Sequence, residues 1–405
     1  MTDERADLMP PRTLTIASLL LLAGACVAIY GVISAPERTW PTLLLNGFYT
    51  ISLALSAIFF LTTQRLTGAR WSAGIRRIPE AFSQALPVLA LLMLILFFGR
   101  QHLFPWSRPG GLALEPAFAG KIRYLQTPWV FVRMAVALLA WTIFAWQFRS
   151  TSLRQDREPG LSLVLHHRLT RLAVMFVLVF ALTFTMGAFD WLISLDPQWM
   201  STMFAVYVFA GTFVQGIAAV TLAVVFLKER GSLGQSVGEH QLHDLGKMLF
   251  AFSTFWAYIW VCQYLLIWYG NIPEEITHFA RRTNGPWLYL FALNFILNWI
   301  VPFTVLLSKT AKCRTRILKI VCCILLVGHW LDLYLLIMPS VSAAPRIGPL
   351  EIPIAVAYMA LLYLLFVRSL ARAPLVPLND PILEYERTHH IISSAVQPEF
   401  SGVKQ

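Results

Sequence analysis

Charge is what this sequence most lacks. Asp, Glu, Lys and Arg make up 13% of its 405 residues, against roughly 25% in ordinary soluble domains. Hydrophobic residues supply 57% and the mean hydropathy is +0.64, which excludes a water-soluble globular enzyme. Cysteine is also scarce: Cys26, Cys262, Cys313, Cys322 and Cys323, with no C-x-x-C or C-x-x-C-H spacing. That excludes covalent haem c attachment and an iron–sulfur signature on this chain. The adjacent Cys322 and Cys323 point in different directions on a helix, so they read as small packing residues, and disulfides are not expected. No long polar stretch remains that could form a soluble domain.

What is present is a series of apolar runs, each near the ~20 residues that cross a bilayer as a helix. Ten are found, near 13–33, 41–64, 80–99, 127–148, 169–194, 200–228, 244–269, 285–308, 316–338 and 350–371. The expected fold is all-α: a polytopic membrane protein with ten transmembrane helices in one domain, residues 1–371. Residues 372–405 follow as a Pro-rich, polar cytoplasmic tail, either an extended arm on a neighbour or disordered. The longest linkers are expected at 100–126, 149–168, 229–243 and 270–284.

The net charge of +11 has the distribution of a topology signal, not of a nucleic-acid surface. Of the 32 Lys and Arg, 23 fall on the side of the amino terminus, eight on the opposite side, and Arg133 inside segment four. The positive-inside rule then puts both termini in the cytoplasm, with anionic lipid as a secondary partner. Ala23-Gly24-Ala25-Cys26 loosely matches a cleavage site. The apolar core of segment one exceeds a typical signal h-region, and the even segment count needs it, so it is read as a retained anchor helix.

A weak internal echo links the end of segment five, Gly187-Ala188-Phe189-Asp190-Trp191-Leu192, to Gly328-His329-Trp330-Leu331-Asp332 in segment nine. Each is the fourth helix counted from segments two and six. Two related four-helix bundles, about 41–194 and 200–338, with segments one and ten flanking, would explain that spacing.

Ionisable groups within apolar segments are costly in lipid and mark proton, ion or redox pathways. His329 and Asp332, three residues apart, share one helical face. At ~1.5 Å per residue, His329 lies ~15 Å and Asp332 ~20 Å from Lys319. Asp190 lies ~28 Å from Arg171, and Arg133 ~9 Å from the start of segment four near Thr127. All four fall in the outer half or close to it. Arg133 is expected to pair with Asp190 or Asp332. His329 and Asp332 are the candidates to accept protons from a quinol, or to relay them. Haem b does not fit, because it needs axial ligands on facing helices. His329 is the one deep histidine; His166, His167, His240 and His243 sit at cytoplasmic ends, and His102 and His278 at outer ends. No metal or cofactor is expected on this chain.

At the cytoplasmic end of segment seven, His243, Asp244 and Lys247 are candidates for proton uptake. Ser253, Thr254, Tyr258 and Gln263 continue inward, and Asn294 and Asn298 share a face of segment eight. Such a ladder can hold water or can serve ordinary interhelical hydrogen bonding. Trp268 and Tyr269 fit an interfacial belt, and Gly270 and Pro273 mark the helix stop.

Three stretches, residues 189–204, 249–258 and 263–275, carry a resemblance. They include Asp190-Trp191, Asp196-Pro197, Phe255-Trp256-Ala257-Tyr258 and Gly270-Asn271-Ile272-Pro273-Glu274-Glu275. Together they resemble the ActF-type membrane subunit of bacterial alternative complex III, a quinol:electron-acceptor oxidoreductase. That subunit is similar to the NrfD/polysulfide-reductase membrane family, and the match runs over segments two to ten. The resemblance implies ten helices, two four-helix bundles and a bacterial inner membrane. It implies as partners a sister ten-helix subunit, an iron–sulfur protein on the outer face and haem c subunits, with quinol bound by the sister subunit and by this one in addition or not at all. The matched polar positions are Asp190, Asp196, Lys247, Tyr258, Glu274 and Glu275. The expected function is a respiratory subunit supporting quinol binding or proton translocation. A secondary transporter and a purely structural anchor are the competing classes. Against a transporter, no Gly/Pro-broken helix pair is evident at the midplane, Gly211 and Gly216 being the nearest.

Overall fold

The computed structural model describes residues 10–109 and 119–383. Among them every regular element is helical. Ten helices are long and apolar enough to cross a membrane: α1 Pro11–Ser34, α2 Pro36–Leu66, α3 Arg77–Ile95, α4 Thr127–Arg157, α5 Pro159–Leu195, α6 Phe204–Glu229, α7 Glu239–Gly270, α8 Trp287–Leu306, α9 Thr315–Ser340 and α10 Glu351–Leu370. Each overlaps one expected segment. The linker expected at 149–168 shrinks to Glu158 between α4 and α5. Hydropathy finds the stretch suited to lipid, whereas helix hydrogen bonds continue through Arg149–Arg157, whose residues are mostly good helix formers.

Two helices are interrupted, contrary to the sequence reading. In α3 the helix breaks between Ser83 and Leu86, where Pro87 cannot donate to the Ser83 carbonyl. In α8 a π-helical turn, Ile296–Ile300, precedes Pro302, which likewise withholds a donor from Asn298. By contrast α6, carrying Gly211 and Gly216, runs unbroken. Those glycines serve close approach. A Cβ at Gly216 would lie 1.8 Å from Ser56 Oγ of α2, and one at Gly211 would lie 2.5 Å from the His329 ring of α9. Small residues at helix crossings bring backbones together in this way.

α2 and α6 form the inner pair, with 89% and 83% of their apolar windows buried. α2 packs on α3, α5, α6 and α10, and α6 on α2, α7 and α9. α4 packs on α3 and α5, α8 on α7 and α9, and α1 lies mainly along α10. The outer surface is rich in exposed apolar side chains such as Leu22, Ile33, Leu139 and Leu182, as expected where lipid replaces water.

At the end of the bundle where α1 begins, a buried charge cluster joins α3, α4 and the carboxy-terminal arm. Glu80 accepts from Arg77 Nη1 (2.8 Å), Arg149 Nη1 (3.3 Å) and Ser152 Oγ (2.6 Å). Arg77 also pairs with Asp156, and Arg76 with Asp380. The tail expected to lie on a neighbour or to be disordered folds onto its own chain over residues 371–383. Asn379 Nδ2 donates to the Asp156 carbonyl (2.8 Å), and Ser162 Oγ donates to the Asn379 carbonyl (2.6 Å). Residues 384–405 of that tail lie outside the described residues. Losing one partner of a buried ion pair costs about 3–5 kcal/mol. Asp380→Ala should therefore lower the melting temperature of the detergent-solubilised protein by several degrees; an unchanged transition would show that the arm adds nothing.

Candidate functional site

Asp332 is 1% exposed and receives donors from three helices. Its Oδ1 accepts from Asn294 Nδ2 of α8 (2.9 Å) and from the Tyr207 hydroxyl of α6, and its Oδ2 accepts from Trp256 Nε1 of α7 (3.2 Å). Asn298 Nδ2 in turn donates to Asn294 Oδ1 (2.7 Å), orienting that amide so that its Nδ2 faces the carboxylate. The π-helical turn carries Asn298, so the interruption in α8 and the seating of Asp332 are one structural feature. His329, also 1% exposed, has no hydrogen-bond partner on either ring nitrogen. Its Nδ1 lies 3.6 Å from Asp332 Oδ2, beyond a hydrogen bond but within a small ring rotation of one. A buried imidazole left bare is uncommon, and this one sits beside a carboxylate.

Asp332, Tyr207 and Asn294 line a cavity that continues past Gln263, Arg282 and His278 toward the opposite end of the bundle from the Glu80 cluster. Its volume is about 30 Å³, room for one or two waters. That is at most about a tenth of the ~300–1,000 Å³ of small-molecule pockets. The Asp332 cavity therefore admits one or two waters and is too small for a ring-sized molecule.

The other sequence candidates separate from this cluster. Arg133 closes a two-point ion pair on Asp190, Nε to Oδ2 at 2.8 Å and Nη2 to Oδ1 at 3.0 Å, while its guanidinium lies 4.0 Å over the Tyr124 ring. This pair joins α4 to α5 and leaves neither charge bare. Asp244 accepts from Lys247 Nζ (2.5 Å) and pairs with His240 Nδ1 (3.1 Å). His243 is half-buried nearby, and no contact joins any of these to Asp332. The ladder expected along α7 does not form. Ser253 and Thr254 turn back to the Phe250 carbonyl, and Tyr258 is 62% exposed on the outer surface. Gln263 reaches Ser201 (3.1 Å) and the cavity. Asn294 and Asn298 are the members that reach the carboxylate.

Sequence reasoning missed Tyr207 and Arg282 altogether, and Trp256 had stood only as part of a motif. A deep tyrosine in an apolar helix was the one available signal for Tyr207. It also left His278 as a mere helix-end histidine. The helix Pro273–Thr283 crosses the end of α9, where Arg282 donates to the carbonyls of Leu335 (2.8 Å) and Leu336 (3.0 Å). His278 stacks on Trp199, ring centres 3.6 Å apart and planes 8° apart, with Nδ1 3.6 Å from Asp196 Oδ2. Burial, with the Arg282 charge beside it, drives the His278 pKa down to about 3. Burial also lowers Arg282, to about 9, leaving it charged at neutral pH. Burial opposes ionisation of Asp196, but His278, Arg281 and Arg282 around it hold its carboxyl below the usual range. Among the described residues no three His, Cys, Asp or Glu side chains converge to hold a metal ion.

The sign of the pH effect follows from linkage. The unfolded chain protonates His278 near the ordinary value of 6.5, whereas the folded chain does so near 3. Stability from a neutral His278 is complete above pH 6.5 and drains as pH falls toward 3; the depressed Asp196 adds loss at the acid end. His278→Phe, which keeps the stack, should flatten the fall of melting temperature between pH 6.5 and 4; an identical pH profile in the variant would contradict this.

No family model matches the chain, and no curated protein matches it.

Proposed function

We propose that this chain is an integral, non-haem subunit of a quinol-oxidising respiratory complex of the alternative complex III type, in which Asp332 and His329 handle protons. In this reading it is a multi-pass protein of a bacterial inner membrane with both termini in the cytoplasm. Its helices form two four-helix bundles, α2–α5 and α6–α9, flanked by α1 and α10. α2 packs on α3 and α5, and α6 on α7 and α9, as within such bundles, while the α2–α6 contact joins the two. Electrons pass through haem c and iron–sulfur partner subunits, with a sister ten-helix subunit alongside.

One observation carries the proton role: a buried carboxylate held by neutral donors, next to a histidine with both nitrogens bare, on a water-sized polar cavity. A carboxylate that is only a helix clip is best served by an arginine, as Asp190 is by Arg133. Asp332 has no such counter-ion in hydrogen-bond contact, so a proton moving between it and His329 changes little in the surrounding framework. The quinol assignment rests on the resemblance of residues 189–204, 249–258 and 263–275. A secondary transporter is the second reading, favoured by the interrupted α8 with its buried asparagines.

Isolation from native membranes separates the two. The proposal expects co-purification with haem-bearing and iron–sulfur proteins in fixed ratio; a chain that comes out alone and moves a solute in vesicles would favour the transporter. Within an assembled complex, Asp332→Asn should cut quinol-dependent proton release by about 100-fold, the low end for lost acid–base catalysis. Unchanged turnover and proton yield in that variant would remove the proposed role.

A further inference from the structure

A row of oxidisable rings leads away from Asp332. Along α7, Trp256, Trp260, Tyr264 and Trp268 recur every fourth residue, which sets them on one helical face. Ring centres lie 6.1 Å apart from Trp256 to Trp260 and 6.2 Å apart from Trp260 to Tyr264, with planes 27° and 13° apart. Tyr207 of α6 extends the row inward, its ring centre 6.1 Å from that of Trp256. These are separations of aromatic pairs in contact, about 4.5–7 Å. The row begins in the interior, where Tyr207 is 5% and Trp256 1% exposed. It passes the half-buried Trp260 and Tyr264 and ends at the exposed Trp268.

Packing alone does not ask for this composition. Phe279, Phe291 and Phe295 close on the row from the sides, and phenylalanine would fill an apolar contact within it as well. Tryptophan and tyrosine differ in giving up one electron far more readily. The inner end has what a tyrosine needs for that step. Oxidation makes a phenol strongly acidic, so the neutral radical forms readily where a base within hydrogen-bond reach takes the hydroxyl proton. The Tyr207 hydroxyl donates directly to Asp332 Oδ1, and Trp256 Nε1 donates to Oδ2 of the same carboxylate. His329 Nδ1 stands 3.6 Å behind it. Two members of the row are thus tied to one proton acceptor.

The exposed end decides the oxidant. Trp268 and the neighbouring Leu265 and Leu266 lie open on the apolar face, so what reaches the row comes from lipid. Oxidised acyl chains break down through alkoxyl radicals, one-electron oxidants able to take a hydrogen atom from a phenol. We propose that Tyr264, Trp260, Trp256 and Tyr207 carry such an oxidation inward, ending in a neutral Tyr207 radical whose proton is held by Asp332. The alkoxyl radical takes the hydroxyl hydrogen of Tyr264 and leaves as an alcohol. An electron from Trp260, with a proton from water, restores Tyr264. Trp256 refills Trp260, and Tyr207 refills Trp256. At Tyr207 the O–H bond breaks and a new O–H bond forms on Asp332. One lipid radical is reduced, one tyrosine is oxidised, and the proton drawn from water matches the one placed on the carboxylate. No partner or cofactor of the respiratory reading enters these steps.

The test uses the full chain in detergent, with tert-butoxyl radicals released by a light flash from a peroxide dissolved in the micelle. Samples frozen after the radicals of exposed tyrosines have decayed are read by electron paramagnetic resonance. A long-lived tyrosyl signal should remain, and it should be lost in Tyr207→Phe. Trp260→Phe keeps a ring at each position and interrupts the row, so the long-lived signal should be lost there too, with the melting temperature unchanged. Asp332→Asn keeps the shape of the site and removes the base, and should leave the unpaired electron on tryptophan. The absence of a long-lived tyrosyl signal, or its survival in any of the three variants, overturns the proposal.

Discussion

A carboxylate in an apolar interior has to be given hydrogen bonds from within the protein, because no water is there to supply them. Asp332 is the centre on which that constraint acts most strongly. Tyr207, Trp256 and Asn294 come from α6, α7 and α8 to meet it on α9. The supporting geometry follows from this convergence. Gly211 leaves space for the His329 ring beside Asp332. The π-helical turn before Pro302 carries Asn298, which in turn holds the Asn294 amide. Arg282 ties the helix Pro273–Thr283 to the end of α9.

The two deep carboxylates solve the same desolvation problem in different ways. Asp190, on α5, takes a guanidinium from the preceding helix, α4. Asp332, on α9, takes an amide from its own preceding helix, α8. The echo in sequence between the ends of these helices therefore has a counterpart in the direction from which each acid is served. The consequences differ. An arginine does not give up its proton under any ordinary condition, so the α4–α5 contact is closed. Amide, indole and phenol donors bring no full positive charge to Asp332, and the His329 ring lies beside it with both nitrogens bare.

Size divides the labour further. The space at Asp332 has room for one or two waters, while the groove lined by Tyr358 on the outer surface is more than ten times larger. The charge cluster around Glu80 stands apart from both. It clamps α3, α4 and the arm at Asp380, and its charges are paired where they lie.

Ten helices were readable from the sequence alone, because the ability to span a bilayer is a property of consecutive residues and survives without knowledge of neighbours. The pairing of His329 with Asp332 was readable for the same reason, since three residues on one helix fix a shared face. The Arg133–Asp190 contact was one of two stated options. What the sequence could not supply were partners 125 and 76 residues away, Tyr207 and Trp256 on Asp332. The fold-back of the arm and the failure of the α7 ladder at Tyr258 were equally hidden. Those depend on how helices rotate about their axes when packed. That rotation is set by close contacts such as Gly216 on Ser56, which only the tertiary structure brings together.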